Sequence, residues 1–386
     1  PSEAVHLARF PSVRAGGASL LNRKTTGDNM SCTSPHTAYR SLTRTNPDTK
    51  NAIITFKRPL REPVEEITIN CGNCISCRIA RSREWALRCT HEAQNWEQNC
   101  FITLTINDAN LPNKKKQCET CTIYKRNDKR TCLNGSLCKQ DFQLFMKRLR
   151  KRYQGYEPIP GTKRYPIRYF HCGEYGTLLS RPHHHACLFN FNFPDRYRWR
   201  SSNISSLARN GANPEIKLYR SESLEELWPY GFCTIGEVTW QSAAYVARYV
   251  TKKINGDMAA VHYLVGDPDQ ETGECQYIEP EFVSMSRMPG LGKYWYDKYG
   301  PKQYEKDYIT HEGNKFPIPS FYDKMFAESN PARMKQILKE RRQRANERSP
   351  DGIKDRIQQR QAKAVELEER FTKLMRSIEE NDFANV

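Results

Sequence analysis

From Pro182 the chain runs apolar and aromatic, with no further breaker until Pro194, and Phe189, Phe191 and Phe193 recur at period two. That pattern predicts a buried strand. Phe101-Ile-Thr-Leu-Thr105 alternates apolar residues with threonine, which predicts a strand with one polar face. Ile167 to Glu174 reads as a further strand, and Gly176 to Pro182 as the loop of a hairpin joining it to the Pro182 strand. Shorter β-prone runs lie at Ile53–Phe56, Glu66–Ile69 and Gly231–Val238. Helical spacing appears over Ile79–Trp96, over Leu218–Pro229 and over Ser242–Lys253. It appears again over Asp141–Tyr153, where Asp141 is placed to cap and Phe142, Phe145 and Leu149 form the apolar stripe.

From Pro331 the chain is charged, poor in aromatics and helix-favouring through Ile378, with Ser349-Pro-Asp-Gly352 dividing it in two. Residues 1–29 are rich in Ser, Arg and Gly and read as disordered. The expected organisation is therefore a disordered or non-native extension (1–29), one domain with cysteine-rich elements at 71–89 and 118–138 (30–325), and a charged helical tail (331–386). Strands separated by helices, with antiparallel neighbours, make an α+β domain whose central antiparallel sheet is flanked by helices.

Composition narrows the partners. At 386 residues the chain can bury a sizeable core, and its net charge of +17 argues for a polyanion. An aromatic share of 11% permits base stacking beside phosphate contacts, favouring single-stranded nucleic acid over a membrane. No window approaches the length of apolar residues needed to span a bilayer, and no signal-peptide core is visible. Lys147, Arg148, Arg150 and Lys151 crowd one predicted helix as a phosphate-tracking face, with a merely solvated face as the alternative. Lys293 to Tyr308, dense in Tyr and Lys, suits base stacking; packing against the sheet is the other reading.

Two constellations carry chemistry. In the predicted strand, His183 and His185 share a face while His184 points away, so two imidazoles offer half of a metal site. The hairpin would bring a third ligand from the neighbouring strand, either Glu174 or His171. On the predicted helix Tyr245 and Tyr249 lie one turn apart, with Lys252 continuing that face and Arg248 and Lys253 nearby. Tyrosine hydroxyls beside a metal and basic groups suit nucleophilic attack on a phosphodiester. The plainer alternative is packed histidines and an aromatic stripe facing a core.

Of fourteen cysteines, Cys71, Cys74 and Cys77 have the spacing of thiolate ligands for a structural zinc, with Cys89 a candidate fourth. Cys118, Cys121, Cys132 and Cys138, in a polar, basic stretch, make a second candidate zinc knuckle. Small buried apolar cysteines are the competing use.

His183-His184-His185 followed by Tyr245-Val-Ala-Arg-Tyr249-Val-Thr-Lys252 resembles the histidine and tyrosine motifs of rolling-circle replication initiators, the HUH endonucleases. More narrowly, the chain resembles the replication initiators of the gokushovirus group of Microviridae, small single-stranded DNA phages. Cys71-Gly-Asn-Cys-Ile-Ser-Cys-Arg78, Phe101–Thr105, Asp141–Lys151, Cys172-Gly-Glu-Tyr-Gly176 and Met285-Ser-Arg-Met-Pro-Gly-Leu-Gly292 carry that resemblance, over about residues 30 to 325. His184 departs from the usual hydrophobic middle residue, on the side chain that faces off the site. Met30 resembles the opening of the family's own proteins, so the segment before it reads as an upstream artefact.

The resemblance implies an HUH fold with an RRM-like sheet, and Glu174 as the acidic third ligand of Mg²⁺ or Mn²⁺. It implies Tyr249 or Tyr245 as nucleophile, Tyr249 favoured by the Tyr-x-x-Lys pattern ending at Lys252. The expected activity is site-specific nicking and rejoining of single-stranded DNA at a viral origin in the cytoplasm of an infected bacterial host. Host polymerase and host helicase would assist, because no phosphate-binding Gly-x-x-x-x-Gly-Lys-Ser/Thr loop occurs. A two-tyrosine HUH transposase and a non-enzymatic zinc-dependent DNA-binding protein are the alternatives.

Overall fold

The computed structural model describes residues 32, 34–47, 52–111, 135–153, 167–176, 181–203, 215–249, 258–264 and 277–347. Residues 1–29, Cys118, Cys121, Cys132, Lys252, Lys253 and the tail beyond 347 lie outside the described residues.

The chain opens with β1 (His36–Thr45), β2 (Ala52–Thr55) and β3 (Val64–Ile69), then α1 (Ile75–Ala93) and β4 (Asn99–Thr105). Next come α2 (Lys139–Arg152), the hairpin of β5 (Arg168–Tyr175) and β6 (Pro182–Phe189), then β7 (Tyr197–Asn203) and β8 (Glu215–Arg220). After α3 (Glu222–Leu227) and β9 (Cys233–Gly236) stand α4 (Trp240–Tyr249), α5 (Met258–His262), β10 (Phe282–Met285) and α6 (Lys293–Tyr299). The small hairpin β11 (Ile309–His311) and β12 (Asn314–Phe316) precedes α7 (Ser320–Ser329) and α8 (Pro331–Glu347).

The architecture is α+β, as expected. Seven strands form one antiparallel sheet in the order β10-β5-β6-β4-β9-β8-β7, and β2-β1-β3 form a separate three-stranded sheet. Period-two alternation gives the large sheet two apolar faces. Ile102, Leu104, Ala186, Leu188 and Ile235 point to one side, where Phe142, Phe145, Met146 and Leu149 of α2 and Leu224 of α3 cover them. Phe170, Cys172, Cys187 and Phe189 point to the other, under Ala86 and Cys89 of α1 and Ala243 to Ala247 of α4. The alanines on α4 let it lie close to α1, where the Ser82 hydroxyl donates to the Ala244 carbonyl at 3.4 Å.

Several expected elements shift. β6 ends at Phe189 because Asn190 takes a left-handed φ of 58°. That turn breaks the alternation, so Phe189 packs on the α4 side while Phe191 and Phe193 pack under α2. Residues 218–220, read as helix, complete β8; the helix starts only after Ser221, whose hydroxyl accepts from the Leu224 N–H. Asp141 does not cap α2, which begins at Lys139 after Cys138. It sits instead in the first turn, where burial pushes its carboxyl up to about 6.

Trp295, Tyr296 and Tyr304 are core residues shared with α7 and α8, so the aromatics of 293–308 pack rather than form a base-stacking surface. The described part of the tail is likewise packed: Met334 and Ile337 are buried, and Arg341 pairs with Asp307 and Asp323.

His91, on α1, is held neutral in this second core. Its ring stacks 3.5 Å from that of Trp295 and its Nδ1 meets the Tyr322 hydroxyl at 2.9 Å. Desolvation, with His311 nearby, lowers its pKa to about 3. The unfolded chain therefore binds the proton that the folded chain refuses, so this stability is present above about pH 6.5 and is lost as pH falls below it. The slope is about 1.4 kcal/mol per pH unit. Urea midpoints measured from pH 7 down to pH 5 should fall, and His91→Gln should flatten that fall by this amount. Equal slopes in the two proteins would exclude the assignment.

Candidate functional site

Cross-strand register assembles the site. Glu174 on β5 lies opposite His183 on β6, and Cys172 lies opposite His185. On the other flank of β6, Thr103 of β4 lies opposite His185 and Thr105 opposite His183. His183, His185, Glu174 and Thr103 thus share the sheet face that α4 covers, and all four are buried. His185 Nε2 is 2.8 Å from Glu174 Oε1, and its Nδ1 is 3.1 Å from Thr103 Oγ1. The His183 and His185 rings stand 6.3 Å apart, centroid to centroid. At the hairpin end, a Cβ on Gly176 would come within 2.9 Å of the His183 ring, so only glycine leaves that imidazole its place.

The sequence starts α4 by reciprocal capping. Ser242 Oγ accepts from the Thr239 N–H at 2.8 Å while Thr239 Oγ1 accepts from the Ser242 N–H at 3.1 Å. So begun, the helix lays Tyr245 over the site. Its ring meets that of His185 edge-on at 5.0 Å and 83°, and that of Phe101 at 6.1 Å and 89°. Phe101 in turn stacks parallel to His185 at 5.9 Å. Tyr249 ends the described helix one turn after Tyr245, following Arg248.

His171, the other candidate third ligand, faces away. It lies with His184 beneath α2, its ring 3.5 Å from Phe142, its Nε2 3.0 Å from His184 Nδ1 and its Nδ1 2.8 Å from Ser284 Oγ. Burial lowers the pKa of both rings, His184 to about 3. Neutral histidines hydrogen-bonded in a core are structural, and the opposite face keeps His171 from the His183 set.

The basic residues divide. Lys147 and Lys151 are exposed on α2, on the opposite side of the sheet from His185. Arg148 Nε and Nη2 donate to the Leu227 carbonyl at 3.1 and 2.9 Å, and Arg150 Nη2 donates to the Ile167 carbonyl at 3.0 Å. Both arginines thus tie α2 to neighbouring backbone.

The cysteines also divide. Cys89 is not the companion of Cys71, Cys74 and Cys77. It is fully buried between α1 and the large sheet near Cys187, where desolvation holds its thiol well above the usual range. The fourth thiol is Cys32, and among the described residues these four form the one group of possible ligands whose donor atoms all lie within 4.8 Å of one another. Cys138, of the other candidate knuckle, precedes α2.

Sequence reasoning missed two members. Thr103 was visible as the polar face of an alternating strand but lacked a partner until the register was known. Cys32 stands 39 residues before Cys71, too far for a spacing motif.

A seven-stranded antiparallel sheet carrying buried His183, His185 and Glu174 beneath a tyrosine helix now has relatives to be set against. Residues 99–254 match a family of replication-associated proteins, the one described by its ORF2 members. The chain is 28% identical to replication-associated protein VP4 of Bdellovibrio phage phiMH2K over 72% of this chain and 74% of that protein. It is 29% identical to replication-associated protein ORF2 of Spiroplasma virus 4, over 67% of each. With replication-associated protein ORF4 of Chlamydia phage 1 it shares 30% over 47% of this chain and 38% of the relative. No solved structure matches significantly. The resemblance to a gokushovirus replication initiator is borne out, and the chain takes its place among phage replication-associated proteins. Among the described residues, no helix is long and apolar enough to cross a membrane.

Proposed function

We propose that this chain initiates phage replication by nicking and rejoining single-stranded DNA at the viral origin, through a 5′-phosphotyrosine. The observation that carries the proposal is the ring of Tyr245 set 5.0 Å from His185, which is itself hydrogen-bonded to Glu174. Two imidazoles and a carboxylate on one rigid face suit a divalent cation such as Mg²⁺ or Mn²⁺. When bound, that cation supplies positive charge against the scissile phosphate.

The surrounding residues fit this role. A neutral His185 cannot donate from both nitrogens, so while Nε2–H donates to Glu174, Thr103 donates to Nδ1. Moving the proton to Nδ1 frees the Nε2 lone pair, and the Thr103 hydroxyl then accepts. Thr103 serves either tautomer and keeps the ring aimed.

In the reaction, the hydroxyl oxygen of Tyr249 or Tyr245 attacks phosphorus and gives up its proton. The tyrosine O–P bond forms as the P–O3′ bond breaks, and the departing 3′-oxygen takes a proton. Lys252, Arg248 and Lys253 lie near the nucleophile in sequence, and Lys252 orients the phosphate. Lys147 and Lys151 follow the strand by phosphate contacts. Host polymerase extends the 3′-hydroxyl and host helicase opens the duplex, in the cytoplasm of the infected bacterium. The second tyrosine cleaves the regenerated junction, and attack of the 3′-hydroxyl on the phosphotyrosine closes the circle. Because the phosphotyrosine conserves the energy of the bond, no nucleotide is consumed. The names of the relatives support the replication role, and the tyrosine chemistry rests on the site.

Labelled single-stranded circles carrying the phage origin, incubated with the full chain and Mn²⁺, should give a protein–DNA adduct that survives denaturing electrophoresis. A chelator should abolish the adduct and excess Mn²⁺ restore it. Tight binding of the circles with no adduct under any of these conditions would overturn the proposal.

A further inference from the structure

Four thiols from three places in the chain meet at the start of α1: Cys32 before β1, Cys71 after β3, and Cys74 and Cys77 at the helix N-terminus. The Cys32 and Cys71 sulfurs are 3.6 Å apart, and those of Cys74 and Cys32 are 3.8 Å apart. Four thiolates about 2.3 Å from a tetrahedral zinc ion are about 3.8 Å from each other, the same spacing. A disulfide would need about 2.05 Å between sulfurs, and none joins any of these four cysteines.

Local backbone is arranged for thiolates. The Cys71 N–H donates to Cys32 Sγ at 3.3 Å and the Cys74 N–H to Cys71 Sγ at 3.2 Å, as outer hydrogen bonds around a metal-bound sulfur do. Gly72, at φ 77°, makes the turn between the first two ligands of the loop. The apolar explanation is weak here, because among the described residues this buried cluster contains sulfur side chains alone, with no aliphatic or aromatic partner packed against them. Cys89, Cys100, Cys172, Cys187 and Cys233, by contrast, sit among aromatic and aliphatic residues.

We infer that Cys32, Cys71, Cys74 and Cys77 hold one structural Zn²⁺ that fastens the three-stranded sheet to α1. That sheet buries little of its own, its core cluster being Ala38, Ile67 and Ile69 with Ile54 alongside. Small elements with so little apolar area depend on such cross-links. The tie reaches the site indirectly, since α1 is the helix against which α4 and its tyrosines pack. Soft thiolates select zinc here, whereas the nitrogen and oxygen donors of His183, His185 and Glu174 suit a harder ion.

The test compares metal content in the full chain purified without chelators. Cys32→Ser should contain one zinc per chain less than the unsubstituted protein, and Cys89→Ser should retain it. Unsubstituted protein stripped of metal and titrated with Co²⁺ should develop the intense visible bands of a tetrahedral tetrathiolate site. That titration decides the matter even where Cys32→Ser fails to fold. Equal zinc in the Cys32→Ser and unsubstituted proteins, or a cobalt spectrum without thiolate ligation, would overturn the assignment.

Discussion

Exchanging both helical tyrosines, Tyr245→Phe with Tyr249→Phe, is expected to remove the covalent protein–DNA adduct and lower cleavage on the order of 10³-fold or more. Phenylalanine is the informative replacement. Tyr245 contacts His185 and Phe101 through its ring, so Phe preserves both edge-on contacts and deletes only the oxygen. Binding of single-stranded DNA should persist, which separates lost chemistry from lost fold. The single variants then rank the two hydroxyls. With Tyr249 as first nucleophile, Tyr249→Phe loses the initial nick, whereas Tyr245→Phe still nicks but fails to cut the regenerated junction. An adduct that survives in the double variant would move the nucleophile to another residue.

Arg168→Ala should be the most damaging single change to the fold, at about 3–5 kcal/mol, because it leaves a buried carboxylate without its counter-charge. Glu92, on α1, is fully buried. Its Oε1 accepts from Arg168 Nε at 2.6 Å and from Trp96 Nε1 at 3.2 Å, and its Oε2 accepts from the Gly292 N–H at 2.7 Å. Arg168 also donates through Nη2 to the Pro289 carbonyl at 2.7 Å. One ion pair therefore joins α1, β5 and the approach to α6. Glu92→Gln should cost less than Arg168→Ala, since its side chain can still accept one of these bonds and leaves no buried anion. Chemical denaturation of the two variants gives the comparison; a loss below about 1 kcal/mol for Arg168→Ala would show the pair to be solvated.

What could be read from the sequence was what local periodicity encodes. The β5–β6 hairpin was visible because Gly176 and Pro182 punctuate two runs of alternating residues. The shared face of His183 and His185 followed from that alternation alone. The choice of Glu174 came from resemblance, and the register then placed it opposite His183. Long-range partners were hidden. Cys89 fitted a spacing argument as well as Cys32 did, and only the path of the chain back from β1 separates them. The aromatics of 293–308 have the composition of a base-stacking surface, but packing against α7 and α8 decides their use. Residues 218–220 failed for a related reason, since pairing with β7 drew them into a strand that their own propensity did not demand.

The three consecutive histidines of β6 give the strand a parity. Imidazoles stand on both faces of the sheet, and only the count of residues from the hairpin decides which two lie under the tyrosine helix. Losing one residue within the strand would invert that count, bringing His184 in and turning His183 and His185 out beneath α2. Length changes in the connecting segments leave it untouched. The histidine run can therefore drift in length only outside the strand, and the reactive face is stored as an odd or even number rather than as a set of residue types.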